Sequence, residues 1–201
     1  YVGMKSAAKK AYGSDSLAGK KISVQGVGQV GMYLVEHLTK EGAQVFMTDI
    51  NQDRLKMVSE KTGATVVGMD EIYGLDVDIY APCAMGATIN DDTISKLKCS
   101  VIAGAANNQL KDEARHGNML IEKGIVYAPD FVINAGGIIN ITGELRGSYS
   151  KDLAYMWTEK IYDTCTNILA KADQDGIPSQ KAAMLLAEKR IEDVGRVKLS
   201  F

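Results

Sequence analysis

The chain has 201 residues, 46% of them hydrophobic, and a formal net charge of -2. That length suits one domain, or one domain with an appendage, and the apolar content is ample for a core. The near-neutral charge, with no basic patch or basic helix, argues against a nucleic-acid or membrane-surface partner, and no apolar run approaches the roughly 20 residues of a membrane span.

The start, Tyr1-Val2-Gly3-Met4-Lys5, is neither a signal peptide nor a natural initiator, so the chain reads as a fragment of a longer protein. Met4–Tyr12 reads as a helix and Ser14–Gly19 as a turn. Strands and helices then alternate. Strands are expected at Ile22–Gln25, Ala43–Asp49, Ala64–Val67, Val77–Tyr80, Ser100–Ala103 and Ile125–Ala128. Helices are expected at Gly28–Glu41, Gln52–Thr62, Asp91–Leu97 and Lys111–Lys123, with Gly63 closing the second of these. Such alternation implies a doubly wound, mostly parallel α/β sheet of Rossmann type, covered on both faces. From Ser150 onward the pattern becomes helical. Leu153, Trp157, Ile161, Ile168 and Leu169 form an apolar stripe read as core, Gly176-Ile177-Pro178 breaks it, and a last helix carries Ala182, Leu185, Leu186, Ala187 and Ile191. The expected organisation is a nucleotide-binding domain over 1–149 with a helical extension over 150–201 packed on it.

The most informative segment is Gly26-Val27-Gly28-Gln29-Val30-Gly31, which lies between the first strand and its helix. Gly26 allows a tight turn, Gly28 lets the backbone approach a pyrophosphate, and Gly31 lets helix and strand pack closely. Asp49 ends the second strand at the spacing of a carboxylate that accepts the ribose diol. A carboxylate there repels a 2′-phosphate. The next residues, Ile50, Asn51 and Gln52, bring no cation, and Arg54 is expected to point elsewhere on its helix. NAD is therefore expected over NADP.

Three further loops follow strand ends, where an open parallel sheet binds its ligand: Ala81–Gly86, Gly104–Gln109 and Pro129–Gly137. Asn107, Asn108, Asn134 and Asn140 offer uncharged donors and acceptors there. Cys83, Cys99 and Cys165 have no metal-like spacing and read as reduced, buried thiols of a cytoplasmic protein. No metal site is expected. His37 and His116 are isolated and expected on helix surfaces.

These loops carry a resemblance. Gly26–Gly31, Thr48-Asp49-Ile50-Asn51, Ala81-Pro82-Cys83-Ala84, Gly104–Leu110, the run Tyr127–Gly137 and the ending Leu186–Ile191 resemble the cofactor domain of the amino-acid dehydrogenases acting on glutamate, leucine, phenylalanine and valine. The likeness is greatest to the leucine/valine/phenylalanine branch, and it runs from Tyr1 to about Glu192. It implies reversible oxidative deamination of an L-amino acid to a 2-oxo acid and ammonia, with hydride passing to NAD. It also implies that Gly26, Val27, Gly28, Gln29, Val30 and Gly31 hold the pyrophosphate and that Asp49 with Ile50 meets the adenine ribose. Cys83, Ala84, Ala106 and Asn107 would flank the nicotinamide half, Asn108 would lie near the substrate carboxylate, and Ile138 and Ile141 would line the side-chain pocket. Isoleucines at these two positions favour aliphatic substrates over phenylalanine. The family's catalytic lysine and aspartate lie in an N-terminal domain that this sequence lacks. No catalytic residue is assigned, and the fragment alone is expected to be inactive. A homo-oligomer is expected. Two other readings are an NAD-sensing regulatory module and a dehydrogenase of another substrate class, such as a malic-type enzyme.

Overall fold

The computed structural model describes residues 1–145, 147 and 149–196. Helix α1 (Val2–Tyr12) leads into β1 (Lys21–Gln25), α2 (Gln29–Lys40), β2 (Gln44–Thr48), α3 (Gln52–Thr62) and β3 (Thr65–Val66). A short 3-10 turn at Glu71–Tyr73 precedes β4 (Ile79–Pro82), α4 (Asp91–Ile94), β5 (Val101–Ile102), α5 (Glu113–Glu122) and β6 (Val126–Tyr127). Five helices complete the described residues: α6 (Asp130–Ile133), α7 (Gly136–Leu145), α8 (Lys151–Glu159), α9 (Ile161–Asp175) and α10 (Ser179–Gly195).

The six strands form one sheet in the order β3-β2-β1-β4-β5-β6, with every pairing parallel. The order reverses between β1 and β4, which creates a crevice at the carboxyl ends of those strands. Alternation along the strands feeds two cores, because successive side chains leave opposite faces. Ile79 and Ala81 of β4 join Ile22, Val24, Val35, Leu38 and Leu55 on one face. Tyr80 joins Ile94, Ile102, Leu120 and Tyr127 on the other. This is the doubly wound α/β architecture expected from the sequence.

Local chemistry sets several boundaries. Asn51 caps α3 by accepting the Arg54 N–H at 2.9 Å. Gly63 ends it in the left-handed region, at φ 76°, as expected of a C-terminal glycine. Asn90 and Thr93 form a reciprocal capping box at α4.

The helical segment from Ser150 onward is only partly core. On α9, Ile161, Cys165, Ile168 and Leu169 are buried, and Cys165 and Leu169 join the core formed by α1 and α2. The expected core stripe does not continue into α8. Leu153 is exposed, Trp157 is half-buried, and no residue of α8 is fully buried. The reason is placement: α8 packs mainly against α7 rather than against the sheet. His116 also departs from expectation. It is buried on α5, where its Nδ1 accepts the Asp112 N–H at 2.9 Å and its Nε2 lies 3.7 Å from Asp91. His37 is exposed, with Tyr1 stacked on it. The loop expected over Pro129–Gly137 contains α6 and the start of α7. Residues 197–201, the end of the expected extension, lie outside the described residues.

Candidate functional site at the carboxyl ends of the strands

The glycine turn is packed against its neighbours at two of its three glycines. Gly26 has φ 98° and donates its N–H to the Thr48 carbonyl at 2.7 Å. A Cβ there would fall 2.7 Å from Ala84, and one at Gly31 would fall 2.0 Å from the Gly26 carbonyl oxygen. Gly28 differs. It caps α2 and faces open space, with only the Arg54 guanidinium within 4.0 Å of an added Cβ. Helix α2 has neither a side-chain cap nor an acid in its first turn. Its leading N–H groups and dipole are therefore left to whatever anion approaches Gly28.

Asp49 is buried at 9% exposure. Its Oδ2 accepts the Val27 N–H at 2.8 Å and its Oδ1 accepts the Asn51 N–H at 2.8 Å. The acid thus ties the end of β2 to the glycine turn, while each oxygen keeps a lone pair. Contrary to the expectation from the sequence, Arg54 points towards the acid. Its Nη1 lies 3.6 Å from Asp49 Oδ2, because the Asn51 cap starts α3 immediately after Asp49 and places Arg54 in the first turn facing it. Ile50 is 81% exposed beside them.

The loops after β4 and β5 are zipped together. Ala87 donates to the Asn108 carbonyl at 2.7 Å and Ile89 to that of Gln109 at 3.0 Å. Gly86 permits this approach, since its Cβ would lie 2.7 Å from the Asn107 carbonyl. Asn108 takes a left-handed φ of 50°, a conformation asparagine tolerates better than most residues. Beneath them Gln109 is fully buried. Its amide donates to the Gly104 and Ala106 carbonyls, and its backbone N–H donates to Asp130 Oδ2 at 2.9 Å. Asn134 donates to Asn107 Oδ1 at 2.6 Å and so joins the β5 and β6 loops.

Between these loops and α2 opens a cleft of about 330 Å³ bordered by Val30, Leu34, Gly104, Asn107, Asn134 and Gly136. Tyr1 and Met4 of the N-terminal segment close one side. A groove of about 390 Å³ behind edge strand β6 shares none of its residues with this cleft.

The fold therefore brings Gly26 to Gly31, Asp49, Ile50, Cys83, Ala84, Ala106, Asn107 and Asn108 to one end of the sheet. Gln29 and Val30 are exposed on the first turn of α2, and Ala84 is exposed beside Gly26. Ala106 is buried, so it forms floor rather than rim. Cys83 lies under the turn: its Sγ accepts the Ala105 N–H at 3.5 Å, and burial pushes its thiol up from the ordinary value. All three cysteines are free thiols. Ile138 and Ile141 lie one turn apart on α7, 67% and 53% exposed, on the helix whose start borders the cleft. Asn140 is not gathered with the other asparagines; it donates to Glu144 on its own helix. Sequence reasoning missed Arg54, Tyr1, Met4 and the Gln109–Asp130 support. Only Arg54 had a signal, its place three residues after the capping Asn51.

A wholly parallel sheet in this order, with a glycine turn at its switch point and a buried acid at the end of the neighbouring β2, defines a Rossmann-type domain. The family model for Glutamate/Leucine/Phenylalanine/Valine dehydrogenase matches residues 47–197. The chain is 53% identical over its full length to leucine dehydrogenase of Thermoactinomyces intermedius, and 55% identical to that of Bacillus subtilis. It covers 54% and 55% of those proteins, so it spans about half the length of the curated relatives it matches. The crystal structure of L-tryptophan dehydrogenase from Nostoc punctiforme superposes with a TM-score of 0.94 at 45% identity, over 98% of this chain and 58% of that one. The chain belongs to the glutamate/leucine/phenylalanine/valine dehydrogenase family.

Proposed function

We propose that this chain is the cofactor domain of an NAD-dependent L-amino-acid dehydrogenase of the leucine, branched-chain type, which interconverts an amino acid with its 2-oxo acid and ammonia. The observation that carries the reading is the hydrogen bond from the Val27 N–H to the buried Asp49. It joins the phosphate-facing turn to the acid that would accept a ribose diol. NAD, when bound, supplies the hydride acceptor.

The residues fit such a cofactor. Gly28 leaves space for a pyrophosphate, and Gln29, Val30 and Gly31 stand at the start of α2. Asp49 and the exposed Ile50 form the adenosine end. Cys83, Ala84, Ala106 and Asn107 are assigned to the nicotinamide end, and Asn107 borders the cleft. Asn108 and the α7 residues Ile138 and Ile141 are assigned to the substrate. The start of α7 borders the cleft, and the exposed apolar residues of α7, of α8 and of the segment between them, including Leu145, Tyr149, Leu153 and Met156, are assigned to a catalytic domain or a neighbouring subunit. That second surface is needed to position substrate and exclude water. The whole enzyme is assigned as a homo-oligomer, and three unpaired thiols fit a cytoplasmic setting. No helix among the described residues is long and apolar enough to cross a membrane.

The test follows NADH formation by the full-length protein with NAD and L-leucine, L-valine or L-phenylalanine. Turnover of the aliphatic substrates, absent from the isolated 201-residue chain, supports the reading. No turnover of any amino acid by the full-length protein overturns it.

A further inference from the structure

We infer that Arg54 makes the adenosine end tolerant of a 2′-phosphate, so that the protein accepts NADP(H) as a second, weaker cofactor beside NAD(H). The inference rests on the proposed cofactor site and names a selectivity residue within it. An acid at the end of the second strand excludes a 2′-phosphate by like-charge repulsion. Here that charge has a counter-ion at its mouth, since Arg54 Nη1 stands 3.6 Å from Asp49 Oδ2.

The two partners differ in freedom. Asp49 has a side chain only 8% exposed and is pinned by two backbone N–H groups. The Arg54 side chain is 41% exposed, and it makes no side-chain hydrogen bond at 3.6 Å from the acid. Arg54 therefore retains a fork of N–H donors, and a small side-chain movement presents them to a phosphate bidentately. The same Nη1 lies 4.0 Å from the position of a Cβ on Gly28. The guanidinium thus stands between the ribose acid and the glycine turn. A ribose with free hydroxyls finds the lone pairs of Asp49; a phosphorylated one finds the cation that neutralises it. The position is anchored by backbone, because Asn51 caps α3 through the Arg54 N–H. The side chain can therefore be changed without disturbing the cap.

The experiment is a calorimetric titration of the full-length protein with NADH and with NADPH, at low and moderate salt, for the wild type, Arg54→Leu and Arg54→Lys. Saturable NADPH binding by the wild type is expected, weaker than NADH and more salt-sensitive. Arg54→Leu should raise the Kd for NADPH by about tenfold or more, the scale of one charge-assisted hydrogen bond, and shift that for NADH by less than about threefold. Arg54→Lys should retain most of the NADPH affinity. The inference is overturned if the wild type binds NADH but not NADPH, or if the ratio of the two constants is the same in Arg54→Leu. Failure of the wild type to bind NADH at all overturns the cofactor site itself.

Discussion

Asp49 and Val27 are joined by a 2.8 Å hydrogen bond, from a backbone N–H in the middle of the glycine turn to a carboxylate at the end of the neighbouring strand. The acid therefore has two tasks. It holds the turn in shape, and it presents its remaining lone pairs at the edge of the crevice. Asp49→Asn removes one acceptor, leaving either the Val27 or the Asn51 N–H facing an amide. A loss of about 1–3 kcal/mol of stability is expected, read as a lower urea midpoint with an unchanged slope.

The glycines separate folding from binding. Gly31→Ala places a methyl 2.0 Å from the Gly26 carbonyl, and backbone must move; destabilisation of about 1–3 kcal/mol follows. Gly28→Ala meets open space and has a negative φ, so its melting temperature should be close to that of the wild type. Its methyl stands where a pyrophosphate would lie, and NADH affinity should fall by about tenfold or more. Thermal melts and titrations on the same two variants check both halves.

Beneath the turn, Gln25 donates to the Tyr73 hydroxyl at 2.6 Å and accepts from the fully buried Tyr80 hydroxyl. Tyr80→Phe leaves the Gln25 carbonyl oxygen without that donor. A cost of about 1–3 kcal/mol is expected, measurable by urea unfolding. Tyr73→Phe should cost less, because Tyr73 is only half-buried.

Stability should decline in alkali through two buried thiols. Burial pushes Cys99 and Cys165 up from 9.0 to about 11. The folded state thus holds these protons more tightly than the unfolded state, so the stabilisation is whole below pH 9.0 and is lost as pH rises towards about 11. Urea melts across that range should show the decline, and the double variant Cys99→Ala, Cys165→Ala should flatten it. In the native protein at neutral pH both thiols should resist a thiol reagent.

Much of this was legible from spacing. The glycine turn, the acid after the second strand and the Gly63 cap each follow from one local rule, and each stands where the sequence put it. The sequence marks Pro129 to Gly137 only as the loop that follows the sixth strand. Pro129 instead precedes the first turn of α6, and Gly136 and Gly137 open α7. The sequence places His116 on a helix surface because an isolated histidine carries no signal for the capping N–H of Asp112 that its ring accepts. Periodicity places Trp157 in the core because it shows that a helix has an apolar face but not what covers it; that face lies on α8, which packs against α7. Arg54 was misdirected for a similar reason, since the direction of a long side chain depends on the start of its helix to within a residue.

The proposed role of α7 in side-chain selection is open to substitution. Ile138 and Ile141 are exposed in this domain, so Ile138→Ala and Ile141→Ala should leave folding of the full-length protein intact. Each should shift kcat/KM towards L-phenylalanine relative to L-leucine by about 1–3 kcal/mol, the worth of a small change in an apolar pocket.

The most direct test of the account is a calorimetric titration with NADH, run side by side on the wild-type chain and Asp49→Ala. Saturable binding by the wild type is expected, with one cofactor per chain, weakened by about tenfold or more in the variant. Binding of equal strength in both would remove Asp49 from the ribose, and no binding by a folded wild type would contradict the cofactor site assigned to the glycine turn.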